Sequence, residues 1–224
     1  MTEQQITAQP SEPRQRPKNR TTWLIPAGLI VLSLVPVVAG VVRLTELTGG
    51  AEITESNARF FASPIPVIAH IVASTVYAVL GAFQFVPRLR RGRAGRRSWH
   101  RSAGRILVVA GLISGISGMW MAVFYTRPEL DMAVRLFFGA VMVTSIVLGL
   151  RAIVRRDFVR HRAWMIRGYA VGMGAGTQVF TTVPWVLANG GAAPDATTAV
   201  ALLAAGWVIN LAVAEVAIRR SSLP

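Results

Sequence analysis

The stretch TTWLIPAGLIVLSLVPVVAGVV, residues 21–42, contains no charged side chain and is long enough to cross a lipid bilayer. At a rise of about 1.5 Å per residue, roughly 20 apolar residues cross a hydrocarbon core about 30 Å thick. The whole chain of 224 residues is similarly apolar, with 53% hydrophobic residues, 15% charged residues and a mean hydropathy of +0.48. Typical soluble domains have about 25% charged residues. The composition therefore predicts an integral membrane protein.

Six apolar blocks of this kind predict an all-α integral membrane bundle of six transmembrane helices. Residues 1–20 form a polar tail that we expect to be disordered, residues 21–218 form one transmembrane domain, and residues 219–224 form a short second tail. Only the fourth block has a charged residue inside its apolar core, Arg135, which lies close enough to the start to reach the lipid headgroups. The predicted spans cover about residues 21–43, 62–87, 104–126, 132–151, 165–188 and 196–218.

The basic residues predict the direction of the spans. Of the 24 Lys and Arg residues, four precede the first span, eight lie around the second connection, six around the fourth and two at the carboxyl end, all on one side. Only Arg43, Arg59, Arg127 and Arg135 fall on the other side. Short loops rich in Arg remain in the cytoplasm, so both termini are predicted to be cytoplasmic and the protein to lie in the inner (plasma) membrane.

The net charge of +14 also indicates the partners of these loops. The Arg residues lie within a few positions of the spans, without an aromatic platform or groove-reading helix, so we expect no nucleic acid partner. Anionic lipid headgroups are the expected partner, each basic residue near the surface contributing about 1 kcal/mol. The chain has no cysteine, which excludes disulfides and thiolate ligands.

Glycines recur on one face of two spans. In lipid, helices associate through close backbone approach, so small residues three or four positions apart predict a helix contact. The two stripes consist of Gly111, Gly115 and Gly118 in the third span, and Gly168, Gly172 and Gly176 in the fifth.

Polar residues inside spans are costly, so they are the first candidates for function. His70, Ser74, Tyr77, Gly81 and Gln84 share one face of the second span at intervals of four, three, four and three. This stripe predicts either a polar path or cofactor wall, or a seam of interhelical hydrogen bonds. The further polar candidates are Gln178, Asn210 and Glu215. Glu215 is expected to pair with Arg167 or Arg219, the alternative being a proton relay.

Two histidines lie at the predicted cytoplasmic ends of spans, His100 before the third and His161 before the fifth. Neutral imidazoles on neighbouring helices can hold a b-type haem, with Arg side chains near its propionates. The other interpretation is that these His-Arg pairs contact lipid phosphates. The hypothetical haem-binding set comprises His100, His161, His70, Met165, Arg101, Arg162 and Arg167.

His70 lies near the other end of its span, roughly 20–25 Å from the cytoplasmic pair by helix rise, so it cannot share their metal. A haem on His70 would need a second ligand such as Met119 or Met121. No metal site, H-E-x-x-H motif, P-loop or Ser-His-Asp set is predicted, and no catalytic residue can be named.

The string HRAWMIRGYA, from His161 to Ala170, resembles the hallmark of a bacterial family of predicted membrane proteins, domain-of-unknown-function family 2306. The resemblance extends from about Pro26 onward. Further matching segments are Gly81 to Phe85 with Pro87 and Arg90, His100-Arg101, Gly104-Arg105, Trp207, Asn210-Leu211 and Glu215. The chain departs from the family pattern at Val179, where many members have an Arg.

The resemblance implies a multi-pass membrane topology and a set of recurrent positions, but no reaction. Those positions are His70, His100, Arg101, Gly104, His161, Arg162, Met165, Arg167, Asn210 and Glu215. A broader similarity to cytochrome b561-like bundles is an analogy of fold. The most concrete chemistry expected is b-type haem binding and transmembrane electron transfer. The alternatives are a small-solute or proton transporter that uses the second-span stripe, and an accessory subunit that contacts lipid without catalysis.

Overall fold

The structure, a computed structural model, describes residues 21–86, 94–126 and 129–220. These residues form helices and no strand, which confirms the all-α prediction. The predicted tail at residues 1–20 lies outside the described residues, as do residues 221–224 and the arginines at 88, 90, 91, 93 and 127. The helices are α1 (Thr21–Thr48), α2 (Ala58–Ala62), α3 (Pro64–Phe83), α4 (Ala94–Tyr125), α5 (Glu129–Val154), α6 (Phe158–Gly172), α7 (Gly174–Ala188) and α8 (Ala196–Arg220).

Five of these helices, α1, α3, α4, α5 and α8, are long and apolar enough to cross a membrane. The fifth predicted span differs from the expectation of one uninterrupted helix. It is divided at Met173 into α6 and α7, each 15 residues long. The segment around the break reads GMGAG, residues 172–176, and glycine weakens a helix by about 1 kcal/mol relative to alanine. A low helix propensity therefore coincides with the interruption.

Side chains of α8 replace the backbone donors that the break removes. The last carbonyls of a helix lack intrahelical partners, which is costly inside a membrane. Here the Ala170 carbonyl accepts a hydrogen bond from Asn210 Nδ2 at 3.0 Å, and the Val171 carbonyl accepts one from Trp207 Nε1 at 3.1 Å. Asn210, a candidate for a polar path, therefore caps the interrupted helix.

The helices α6 and α7 both run antiparallel to α8. Arg167 pairs with Glu215, Thr177 Oγ1 donates to Asn210 Oδ1, and Thr181 Oγ1 donates to the Leu202 carbonyl. The residue numbers of the partners in α8 therefore decrease as those in α6 and α7 increase. Residues 158–188 thus form one interrupted rod along the last helix.

Both glycine stripes lie in helix contacts, as predicted. A Cβ at Gly111 would overlap Tyr77 and Ile146, and one at Gly172 would overlap Tyr77. A Cβ at Gly176 would meet the backbone of Leu32 in α1. The stripes therefore let α1, α3 and α5 approach the helices that carry them.

The two ends of the bundle differ in charge. One, which we call the arginine-rich end, contains the described residues Arg101, Arg105, Arg151, Arg155, Arg156, Arg160, Arg162, Arg219 and Arg220. The other, the opposite end, contains Arg43, Arg59 and Arg135. The apolar core between them is centred on Tyr77, Phe138, Met142, Ile146 and Tyr169.

Candidate functional site

A cavity of about 750 Å³ extends from the opposite end of the bundle to the break at Met173. Its mouth is formed by Arg43, Arg59 and Arg135, and its inner end by Met173 and Trp207. Ligand sites in proteins typically enclose about 300–1,000 Å³, so the volume suits a cofactor-sized molecule. We call this space the His70 cavity.

The cavity exists because small residues line it from several helices. Non-helical backbone at membrane depth is tolerated where it lines a cavity, and the break at Met173 forms part of this wall. The lining glycines are Gly40, Gly115, Gly118, Gly139, Gly172 and Gly176.

His70 lines the cavity from α3 and is held by α4. Its Nδ1 lies 2.9 Å from the Ser114 carbonyl oxygen and 3.2 Å from Ser117 Oγ. A carbonyl oxygen only accepts hydrogen bonds, so Nδ1 carries the proton and Nε2 retains its lone pair. Nε2 makes no hydrogen bond to any described residue. It is therefore available to bind a metal or accept a proton.

The mouth of the cavity carries excess positive charge. Arg43 pairs with Glu46 at 2.6 Å and Arg135 with Asp131 at 2.7 Å. Arg59 has no ion pair within the described part of the chain, and its guanidinium stacks on the Phe60 ring at 4.8 Å. Arg43 stacks on the same ring at 4.4 Å. The mouth suits an anionic group.

Of the two methionines considered as partners of His70, Met121 lines the cavity. The Met119 side chain instead packs against Gly139, where a Cβ would overlap Met119 Cγ. Met142 also lines the cavity, with its Sδ 3.9 Å from the Cβ position of Gly115. Thioether sulfur is therefore present in the lining of the His70 cavity.

A family profile described as a predicted membrane protein, DUF2306, matches residues 67–218. The chain belongs to the DUF2306 family. This confirms the resemblance predicted from the HRAWMIRGYA string and supports a multi-pass membrane protein. No curated protein and no solved structure matches the chain. The matched region includes all three histidines, whereas α1 lies before it.

In this DUF2306 protein only part of the predicted polar set reaches the cavity. His70, Ser74 and Gln178 line it. Tyr77 instead fills the core, is 2% exposed, and its hydroxyl has no partner among the described residues. Gln84 lies at the carboxyl cap of α3. The Tyr77 ring is packed between Gly111 and Gly172 and does not line the cavity. A continuous polar path along the second span stays a prediction.

Glu215 forms one of the two predicted ion pairs. Arg167 Nε and Nη2 donate to its two carboxylate oxygens at 2.5 and 3.0 Å, and the guanidinium stacks on Trp164 at 4.7 Å. Arg167, expected near haem propionates, is therefore occupied by a carboxylate. The side-chain amide of Asn210 likewise donates to the Ala170 carbonyl, and that of Gln178 donates to the Leu203 carbonyl.

The predicted haem pair lies at the arginine-rich end. His161 Nδ1 lies 2.8 Å from the Gly149 carbonyl of α5, and Met165 Sδ lies 2.8 Å from the Cβ position of the same glycine. His100, Arg101 and Arg162 are at this end too, His100 half-buried near the start of α4. The pairing of His100 with His161 around a haem stays a prediction. Among the described residues, no three His, Asp or Glu side chains form a metal-binding group.

Sequence reasoning missed three parts of the site. Ser114 orients His70 from 44 positions away, and nothing local to His70 indicates it. The Phe60 ring at the mouth contacts the guanidiniums of both Arg43 and Arg59. The only sequence signal for the break at Met173 is the glycine-rich string around it.

Proposed function

We propose that this DUF2306 protein binds a b-type haem in the His70 cavity and functions in electron transfer. The observation that carries the proposal is the orientation of His70, whose Nδ1 is held by the Ser114 carbonyl while Nε2 has no hydrogen-bond partner among the described residues. Axial histidines of metal sites commonly donate their second ring N–H to a backbone carbonyl, which fixes the tautomer and the ring orientation.

The rest of the lining supports the same ligand. Met121, which also lines the cavity, would be the second residue to hold the haem, and His-Met ligation is one of the ordinary arrangements of haem iron. The Arg59 guanidinium at the mouth, which has no ion pair within the described part of the chain, suits a carboxylate, because charge-assisted hydrogen bonds to carboxylates are strong.

The proposal includes six spans, with α6 and α7 counted as one, and both termini in the cytoplasm of a cell with the protein in its inner membrane. The antiparallel register of residues 158–188 along α8 supports the sixth span. The excess of basic residues at the arginine-rich end supports the orientation. The His70 cavity would then open to the outer side.

Transmembrane electron transfer needs a second carrier near the cytoplasmic face. His161 supports such a position, because its Nδ1 is held by a backbone carbonyl in the same way as that of His70. Solute transport along the second-span stripe has less support, because Tyr77, Gln178 and Asn210 are used in packing or in backbone hydrogen bonds.

The test is the reduced-minus-oxidised absorption spectrum of the full chain purified from haem-replete cells. We expect b-type bands that disappear in His70→Ala and persist in Ser74→Ala, a neighbour on the same face. The molar ratio of haem to protein in His161→Ala, compared with that of the wild type, reports whether a second haem is present. A folded, colourless protein that does not take up added haemin would overturn the proposal.

A further inference from the structure

The connection between α5 and α6 is an exposed basic turn at the arginine-rich end. Residues 154–162 read VRRDFVRHR and contain four arginines, Arg155, Arg156, Arg160 and Arg162, all exposed. The only acidic residue of the turn is Asp157. The turn thus concentrates positive charge on a few residues next to two membrane-embedded helices.

Asp157 is already used within the turn. Its Oδ1 accepts a hydrogen bond from the Arg160 backbone N–H at 3.0 Å, which caps α6, and its Oδ2 lies 3.4 Å from Arg160 Nε. Arg155, Arg156 and Arg162 have no ion pair within the described part of the chain. Three guanidiniums are therefore left for an external anion.

Apolar side chains are exposed among these arginines. Val154 is 81% exposed, Phe158 66% and Val159 74%. No described helix covers them. Apolar side chains interleaved with basic ones are typical of segments that lie in the boundary between headgroups and acyl chains.

The backbone of the turn is tightly constrained. Arg156 has a φ of +59°, in the left-handed region where glycine is the ordinary residue. The Arg156 N–H donates to the Ile153 carbonyl and the Asp157 N–H to the Ala152 carbonyl, which closes the end of α5. The turn therefore presents Arg155 and Arg156 from a fixed backbone.

We infer that this turn binds an anionic phospholipid, with Arg155, Arg156 and Arg162 on the headgroup phosphate and Phe158 and Val159 at the start of the acyl chains. Charge complementarity selects the anionic headgroup. The exposed apolar residues beside the spans select a lipid over a soluble phosphate or an acidic peptide. The inference does not depend on haem binding in the His70 cavity, which lies at the other end of the bundle.

The test compares affinities for phosphatidylglycerol and phosphatidylcholine of the full chain in detergent, by native mass spectrometry. The wild type should prefer phosphatidylglycerol, and Arg155→Gln with Arg156→Gln should weaken its binding about tenfold or more, since each basic residue near the surface contributes about 1 kcal/mol. Arg155→Lys with Arg156→Lys should retain the preference, which separates lost charge from lost folding.

The matched control is Arg219→Gln with Arg220→Gln, the same charge change at the end of α8 and outside the proposed site, which should weaken the binding by less than the turn variant does. Phe158→Ser with Val159→Ser should weaken the binding of both lipids. Equal losses in the two Gln pairs, no preference for phosphatidylglycerol, or displacement of that lipid by millimolar inorganic phosphate would each overturn the inference.

Discussion

The two ends of the bundle hold the same kind of histidine in different surroundings. His70 and His161 both have Nδ1 against a backbone carbonyl, at 2.9 Å and 2.8 Å. Around His70, glycines and alanines leave a cavity of about 750 Å³, and Arg59 at its mouth has no described ion pair. At the arginine-rich end, Met165 packs on Gly149, and Arg167 is bound by Glu215.

Residue type alone therefore does not define a site. A histidine of fixed tautomer becomes a candidate ligand where neighbouring side chains leave space and unbalanced charge. His161 has the same backbone anchor but does not line the His70 cavity, and Met165 packs on the glycine that anchors it.

The largest expected effect is on ligand binding. His70→Ala should abolish the haem bands assigned to the cavity, because the proposed axial nitrogen is removed, whereas His161→Ala should leave those bands in place. The measurement is the spectrum with haem per protein. If His161→Ala removes the bands and His70→Ala spares them, the comparison between the ends is reversed.

A tightly packed glycine should respond more strongly than an open one. A Cβ at Gly81 would overlap the Tyr169 ring, whose hydroxyl is fixed on the Ala78 carbonyl at 2.7 Å. Gly81→Ala should therefore cost about 1–3 kcal/mol of unfolding free energy, measured by thermal unfolding in detergent.

The control for that substitution is Gly104→Ala in α4. Apart from its own helix backbone, no atom of the described residues lies within 4 Å of its Cβ position, so helix propensity should dominate and stabilise the protein by up to about 1 kcal/mol. Equal destabilisation of both variants would contradict the packing described for Gly81.

The capped break should show a smaller effect. Asn210→Leu removes the donor to the Ala170 carbonyl and leaves Thr177 without its acceptor, so about 1–3 kcal/mol should be lost. Asn210→Gln is the matched variant, which keeps the amide. Unchanged thermal stability in Asn210→Leu would show that the amide does not support the break.

The smallest effect is expected from the ion pair at the arginine-rich end. The Arg167 and Glu215 side chains are 26% and 38% exposed, so solvent screens the pair despite its two hydrogen bonds. A double-mutant cycle with Arg167→Gln and Glu215→Gln should give a coupling energy of about 0.5–1 kcal/mol. A coupling of several kcal/mol would mean that this end is as desolvated as the core.

Much of the architecture could be predicted from local sequence. The apolar blocks at residues 132–151 and 196–218 fall within α5 and α8, and the Gly111 stripe lies in a helix contact. The interruption at Met173 was missed, because a hydropathy pattern contains no information on the side-chain donors that a neighbouring helix supplies. The ion pair between Arg167 and Glu215 was one of two candidates, and the register of α6 on α8 selected it.

The sequence by itself determined the all-α class, the membrane setting and the family, because apolar length and a specific motif are properties of consecutive residues. The tertiary structure alone decided which histidine faces open space. His70 is oriented by Ser114 and walled by glycines of other helices, and those distances depend on how the helices pack. A cavity is what packing leaves unfilled, so no single segment of the chain encodes it.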